Sequence, residues 1–207
     1  DANGNIIILD GDRGKIEDRM RNEMKSRTGD GKYHMNGNWE EWQRIEWKFK
    51  IPKGFRPTKS FTHIHQLKAQ EGNNGSPLIT ITPRASDTNG KNSRVQVIHN
   101  GDNKDTNKGT IDNLPLSDFE DEWIQVTSEI YYTHNGSYYI KMVRISDGKV
   151  LVEKKFTDID MWRKGATNIR NKFGIYRSYG GKLEEDFNGK FPTSGIKDES
   201  LYLADFK

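Results

Sequence analysis

The chain has 207 residues, of which 32% are hydrophobic and 11% aromatic, and we expect one domain that spans residues 1–207. Its 33 basic and 30 acidic residues leave a formal charge of +3, without the concentrated basic stripe of a nucleic-acid binder. Cysteine is absent, which excludes disulfides and thiolate metal sites, and no segment has the form of a membrane span or a signal peptide.

The first candidate element, Lys15–Arg27, has two interpretations. As a helix it places Ile16, Met20 and Met24 on one face at i, i+4 spacing. As a strand it carries a row of charged side chains on one face, namely Arg19, Arg21, Glu23 and Lys25. Its periodicity alone does not choose between the two.

The rest of the chain reads as short strands that are separated by turn sequences such as HNGS at 134–137 and SDGK at 146–149. The predicted strands are 43–51, 61–67, 77–84, 93–100, 122–132, 138–146, 149–156, 171–179 and 200–206. Residues 157–166 are compatible with a short helix or a turn. Many short strands separated by such turn sequences predict an all-β fold, a β-jelly-roll sandwich of two antiparallel sheets with a concave substrate cleft.

Two predicted strands carry ionisable side chains opposite their apolar residues. In FTHIHQLKA, residues 61–69, strict alternation places His63 and His65 on one face and Ile64 on the other. In NKFGIYRSY, residues 171–179, Lys172 and Tyr176 share a polar face. If both strands adjoin the charged row of 19–25, we expect one polar floor that combines the three sets.

These three segments resemble the signature strands of jelly-roll polysaccharide lyases, the group of alginate lyases, glucuronan lyase and the jelly-roll heparinase. Alginate lyases carry an Arg-x-Glu-x-Arg strand, a Gln-Ile-His strand and a strand Tyr-Phe-Lys-Ala-Gly-Val-Tyr-Asn-Gln. The matching segments here are RNEMK at 21–25, HIH at 63–65 and NKFGIYRS at 171–178. This chain departs from the pattern at four positions, with Lys25, His63, Arg177 and Ser178 in place of Arg, Gln, Asn and Gln.

The resemblance implies a lyase that removes the C5 proton of a uronic acid and expels the oxygen on C4. It makes Tyr176 the acid, or both acid and base, and makes His65 the base or the group that keeps Tyr176 ionised. Arg21 suits bidentate pairing with the substrate carboxylate, and Glu23 would orient Arg21. We also assign His63 to the catalytic set.

Further residues are expected to bind an anionic polymer, and these are Glu23, Lys25, Lys68, Arg84, Arg94, Lys172 and Arg177. The mechanism requires no cofactor; by resemblance, Asp205 is a candidate for a structural calcium site. We expect an exported monomer, secreted or periplasmic, whose leader has been removed. Its substrate would be a uronate polymer such as glucuronan, alginate or ulvan, cleaved in an endo mode.

Two other classes of protein are compatible with a β-sandwich. A noncatalytic carbohydrate-binding module would use exposed aromatic side chains, and Trp39, Trp42 and Trp162 are its candidates. A glycoside hydrolase would need paired carboxylates beside the scissile bond, but the acidic residues of FEDEW and LEEDF lie at other spacings beside turns. The hydrolase is therefore the weakest of the three interpretations.

Overall fold

The computed structural model describes residues 18–26, 36–86, 92–179 and 197–207. The strands in these ranges are β1 (Arg19–Lys25), β2 (Trp42–Lys50), β3 (Thr62–Gln70), β4 (Ile79–Arg84), β5 (Arg94–His99), β6 (Gly109–Pro115), β7 (Trp123–Tyr131), β8 (Gly136–Arg144), β9 (Val150–Ile159), β10 (Asn168–Ser178) and β11 (Tyr202–Ala204). A short 3₁₀ helix, Leu116–Asp118, follows β6. None of the helices among the described residues has the length and apolarity needed to cross a membrane.

The strands form two antiparallel sheets, which confirms the predicted sandwich. One sheet has six strands in the order β1-β10-β3-β4-β5-β6, and the other has five in the order β11-β2-β7-β8-β9. All named pairings are antiparallel. Within the first candidate element, Arg19–Lys25 is a strand, so the strand interpretation is correct for this part; residues 15–17 and 27 lie outside the described residues. It lies directly beside β10, and β10 lies beside β3.

The core lies between the two sheets and is built from the apolar side chains of alternating positions. On β2, Ile45, Trp47 and Phe49 are buried, while the residues between them are only partly buried. Ile64 and Ile81 contribute from the six-stranded sheet. Burying each such side chain stabilises the fold by about 1.5–3 kcal/mol, so alternation of this kind fixes which face of each strand points inward.

Two parts of the chain differ from their predicted structure. Strand β6, Gly109–Pro115, was not predicted, since GTIDNLP has only two large apolar residues and lies at the end of its sheet. At 157–166, β9 continues to Ile159 and a turn follows at 164–165. The helix alternative for this segment is therefore wrong.

The pairing of β10 with β3 slips in register at its centre. Phe173 pairs with His65 and Tyr176 pairs with His63, so three steps along β10 match two along β3. Gly174 lies within this slip with a φ of +136°, and a Cβ there would lie 2.2 Å from the carbonyl oxygen of Asn22 on β1. Only glycine fits both the conformation and the space.

Candidate active site

The charged row of β1 meets β10 and β3 on the face of the six-stranded sheet that points away from the core. We call this surface the polar face, and it carries Arg19, Arg21, Glu23, Lys25, His63, Gln66, Lys68, Arg170, Lys172 and Tyr176. Cross-strand pairs place Arg21 opposite Tyr176 and Lys25 opposite Lys172. The expectation that the three segments adjoin one another is thus confirmed.

Tyr176 is surrounded by cations and aromatic rings. Nη1 of Arg19 donates a hydrogen bond of 3.0 Å to the phenol oxygen. The guanidinium carbon of Arg21 lies 5.0 Å from the centroid of the tyrosine ring. The ring of Phe61 packs edge-on at 5.1 Å, and that of His63 lies at 5.9 Å. The hydroxyl group of Tyr176 is therefore hydrogen-bonded to one arginine, and its ring contacts a second.

His63 lies beside Tyr176 as a neutral imidazole. Its Nδ1 is 2.7 Å from the hydroxyl of Thr82, and its ring stacks on Phe61 at 4.8 Å. Burial lowers the pKa of His63 to about 3, and the charges of Arg84 and Lys68 act in the same direction. His63 is consequently uncharged throughout the neutral pH range, in which one ring nitrogen carries hydrogen and the other accepts.

His65 does not share the polar face, and the prediction that both histidines lie side by side is wrong. Its side chain is 1% exposed. The ring lies 5.3 Å from Trp47 of the opposite sheet and stacks on Phe173 at 4.8 Å. The register slip separates His65 from His63, and alternation along a regular strand could not reveal it. His65 therefore has a packing role, with a hydrogen bond of 3.2 Å between Nε2 and Oδ1 of Asn171.

Burial of His65 predicts a loss of stability in acid. Burial lowers its pKa to about 4, although the hydrogen bond to Asn171 acts in the opposite direction. An unfolded histidine has a pKa near ~6.5, so the unfolded chain binds this proton more strongly. The free energy of unfolding should fall by at most ~3 kcal/mol as the pH drops through this interval.

Thermal unfolding followed by circular dichroism from about pH 7.5 to about pH 4.5 measures this effect. His65→Phe cannot take up the proton, and its melting temperature should fall less steeply with pH than that of the unaltered chain. Equal slopes for the two proteins would contradict the assignment of the acid loss to His65.

Glu23 occupies the middle of the polar face as a buried carboxylate, with its side chain 3% exposed. Gln66 donates a hydrogen bond from Nε2 to Oε1 of Glu23, and Nζ of Lys172 lies 3.9 Å from Oε2. Burial raises the pKa of Glu23, while the charge of Lys172 and the hydrogen bond from Gln66 oppose this shift. Glu23 thus links β1 to Gln66 on β3 and to Lys172 on β10. This linking role is separate from the predicted orientation of Arg21.

The basic side chains next to Glu23 repel one another. Lys68 pairs with Arg170 across β3 and β10, and Lys172 pairs with Gln66. Burial lowers the pKa of Lys68 to about 8, and the charges of Lys172, Arg21 and Arg170 contribute. The pKa of Lys172 is lowered by burial as well, although Glu23 opposes this.

The charge of Arg84 acts on His63, whereas two other predicted binding residues, Arg94 and Arg177, lie away from the group around Glu23. Arg84 and Arg94 pair with each other across β4 and β5, and Arg94 is hydrogen-bonded to Asn113. Arg177 follows Tyr176 and lies on the opposite side of the sheet, where it is 3% exposed and donates to the carbonyl of Lys197. The prediction that Arg177 joins the binding surface is therefore wrong, because successive residues of a strand point to opposite faces.

Asp205, the calcium candidate, lies on the other sheet. Its carboxylate is 2.5 Å from Nζ of Lys48, and it is solvent-exposed. The parts of the chain that the structure describes contain no cluster of three or more histidine, aspartate or glutamate side chains arranged to hold a metal ion. The Asp205 carboxylate is thus paired with a lysine, and a calcium site at Asp205 stays a prediction.

Three residues of the polar face were missed as site residues by sequence reasoning. Arg19 belongs to the i, i+2 row of β1, and this spacing could have indicated it. Arg170 precedes Lys172 by two positions and could have been found in the same way. Gln66 could not, because the count from His63 gives the wrong face until the register slip is known.

The aromatic residues proposed for a binding module do not form one surface on the polar face. Trp162 is 6% exposed and buried in the core. Trp39 packs against Trp162 and His134, at centroid distances of 5.5 and 5.3 Å. Trp42 stacks on Tyr131 at 5.1 Å, on the five-stranded sheet.

Comparison with known proteins identifies relatives for most of the chain. A family model described as polysaccharide lyase matches residues 6–203. No curated protein matches significantly. Two solved alginate lyases each match with a TM-score of 0.51. The first, family 7 alginate lyase A1-II' in complex with product, is 11% identical and is aligned over 90% of this chain and 72% of its own. Aly36B, in complex with alginate trisaccharide, is 12% identical and is aligned over 83% of this chain and 70% of its own.

An alginate lyase from Pseudomonas aeruginosa is 14% identical over 83% of this chain and 67% of its own, with a TM-score of 0.48. At these identities the likeness of the first two structures concerns the fold alone. It agrees with the jelly-roll sandwich that the strand pattern predicts.

Proposed function

Because the chain belongs to the polysaccharide lyase family, we propose that it cleaves a uronic-acid polysaccharide by β-elimination on the polar face around Tyr176. The observation that carries this proposal is the phenol oxygen of Tyr176, which accepts a hydrogen bond from Arg19 and lies beside Arg21 and His63. An elimination needs a proton acceptor, a proton donor and cations at the carboxylate, and these groups supply all three.

In this mechanism Tyr176 acts as a phenolate that removes the proton from C5 of the sugar. The electrons of the C5–H bond form the C4–C5 double bond, and the bond from C4 to its glycosidic oxygen breaks. Tyr176 then returns the proton to the departing oxygen. The products are a shorter chain with a free hydroxyl group and a chain with an unsaturated uronate at its end, so the tyrosine is regenerated.

In the proposed mechanism, Arg21 stabilises the substrate carboxylate while the enolate develops. A guanidinium pairs with a carboxylate through two hydrogen bonds. Arg19 bonds to Tyr176 itself, so the two arginines divide these tasks. Preorganised donors of this kind contribute several kcal/mol to stabilising a transition state, about 2.7–4 kcal/mol for one such donor.

His63 acts as a hydrogen-bond donor to the carboxylate rather than as the base. Its low pKa makes it a poor proton acceptor. Since Thr82 occupies Nδ1, the opposite nitrogen, Nε2, is the one that can donate to a sugar. This assignment places His63 in the role that the glutamine of the resembled Gln-Ile-His strand would have.

The direct test is incubation with polymers of glucuronate, with alginate and with ulvan, followed by ultraviolet absorbance of the unsaturated uronate. We expect a rise with at least one of them, and mass analysis should show unsaturated oligosaccharides of several lengths if cleavage is endo. The absence of a rise with every uronate polymer, in the presence of binding, would favour the noncatalytic module and overturn the proposal.

A further inference from the structure

We propose that Asp18 is a positioning residue for the proton transfer at Tyr176, because its carboxylate holds the Arg19 guanidinium in the orientation that bonds to the phenol oxygen. This inference rests on the proposed function and adds two assignments to it. Asp18 acts on Tyr176 through Arg19, and Arg19 does not serve as a binding residue for the substrate carboxylate.

The guanidinium of Arg19 is engaged at all three of its nitrogen atoms. Its Nε and Nη2 donate to the two carboxylate oxygens of Asp18, at 2.5 and 2.6 Å. Its Nη1 donates to the phenol oxygen of Tyr176 at 3.0 Å. A guanidinium recognises a carboxylate by presenting two parallel N–H groups, and Asp18 already occupies such a pair. Arg19 therefore differs in its task from a cation that binds substrate, although it belongs to the charged row of β1.

Asp18 is itself anchored beside the residues that follow Tyr176 on β10. Its backbone carbonyl accepts a hydrogen bond of 2.7 Å from the N–H of Tyr179 and one of 3.3 Å from the hydroxyl of Ser178. The side chain of Arg19 is 36% exposed, and a long side chain at such a position has many rotamers to lose. The anchored carboxylate selects the one in which Nη1 meets the phenol oxygen.

The ring of Phe61 contacts both partners of the hydrogen bond between Arg19 and Tyr176. The guanidinium carbon of Arg19 lies 5.7 Å from the centroid of Phe61, a distance at which a cation is attracted to an aromatic ring. The ring of Tyr176 packs edge-on against Phe61 at 5.1 Å. Arg19 is opposite Ser178 in the register, so it reaches Tyr176 diagonally, and Asp18 and Phe61 together fix that reach.

Arginine carries only hydrogen-bond donors, and this property fixes the direction of the tyrosine proton. Because the phenol oxygen of Tyr176 accepts a hydrogen bond from Arg19, the O–H bond has to point to another partner. In the proposed elimination, that partner is the sugar oxygen that departs from C4. An Arg19 side chain that turned away would leave the proton free to point in unproductive directions.

The charges of Asp18 and Arg19 cancel, which separates the effect of the pair from that of a substrate-binding cation. The hydrogen bonds to Asp18 and to Tyr176 raise the pKa of Arg19, so the guanidinium stays charged throughout the pH range of an assay. The Asp18 carboxylate offsets this charge at close contact. A neutral pair attracts an anionic polymer little, and we expect the pair to act on kcat rather than on KM.

Steady-state rates of three variants on one uronate polymer test the inference. Arg19→Gln should lower kcat about tenfold, the size of one charge-assisted hydrogen bond. Asp18→Asn should lower kcat about threefold, because Arg19 then spends less time on the phenol oxygen. The double variant keeps the net charge of the pair, and its loss should equal the roughly tenfold loss of Arg19→Gln rather than the roughly thirtyfold loss of independent residues. Its KM should stay within about twofold of that of the unaltered chain.

Asp147→Asn is the matched control. Asp147 accepts from Nε and Nη2 of Arg144, at 3.0 and 2.6 Å, in the same bidentate geometry after β8, and its loss should leave kcat unchanged. Nuclear magnetic resonance reads the positioning without substrate, from the Nε–H signal of Arg19 that Arg19→Gln removes. This proton should exchange with water about threefold faster in Asp18→Asn than in Asp147→Asn.

Equal kcat or equal exchange in Asp18→Asn and Asp147→Asn would overturn the inference, as would multiplied losses in the double variant. A higher KM at unchanged kcat in Arg19→Gln would make Arg19 a binding residue for the carboxylate, which also contradicts it. Failure of the proposed function is a different result, since it would appear as an absence of unsaturated product from the unaltered chain.

Discussion

Tyr176→Phe is expected to lower kcat by about 10²–10⁴-fold, because a positioned acid or base contributes that much. Phenylalanine keeps the ring packing against Phe61 and Arg21 and removes only the oxygen that exchanges the proton. The affinity for substrate should change far less than kcat. Initial rates of absorbance increase, measured over a range of polymer concentrations, separate the two.

Tyr139→Phe makes the same chemical change on the five-stranded sheet, where the hydroxyl donates to Glu153. This control should retain the kcat of the unaltered chain. If Tyr176→Phe were as active as Tyr139→Phe, Tyr176 would not be the group that transfers the proton.

His63→Ala is expected to lower kcat by about 10²–10³-fold, the usual cost of one donor to a developing oxyanion. His63→Gln should recover a large part of this loss, since a side-chain amide can donate in place of Nε2. Steady-state rates of the two variants on one polymer decide the role of His63. A base cannot be replaced by an amide, so equal loss in both variants would identify His63 as the proton acceptor instead.

His65 provides the contrast for this experiment. It has the same side chain two positions away, but it packs between Trp47 and Phe173. Its replacement should reduce thermal stability, while any folded protein keeps the pH profile of kcat. A folded His65→Phe protein with a kcat as low as that of His63→Ala would contradict this division of roles.

The fold was predictable because its strands alternate clearly. Ile45, Trp47, Phe49 and Ile51 are four apolar residues at period two, and all four are buried. The charged residues of β1 also recur at every second position. In a strand they share one face, which explains why Arg21 and Glu23 lie on the same side of the sheet. The sequence did not reveal that β6 is a strand, since Ile111 and Leu114 do not lie at period two.

For the site, the sequence correctly indicated which three strands form it, but it did not assign every residue to the correct face of its strand. Strict alternation assigned His65 to the polar face and gave no reason to include Gln66. Both errors arise from the single slip at Gly174, which depends on the close approach of β1 and β10. A contact between two strands that are about 150 residues apart cannot be read from periodicity within either strand.

Strand β1 has one described neighbour in its sheet, β10, and it ends the six-strand order. Terminal strands open locally at a lower free energy than central ones. Arg19, Arg21, Glu23 and Lys25 all belong to this strand, so fraying of its seven residues would remove three cations and a carboxylate together while the sandwich stayed folded. The proposed active site would thus be lost at a lower free energy than the fold itself.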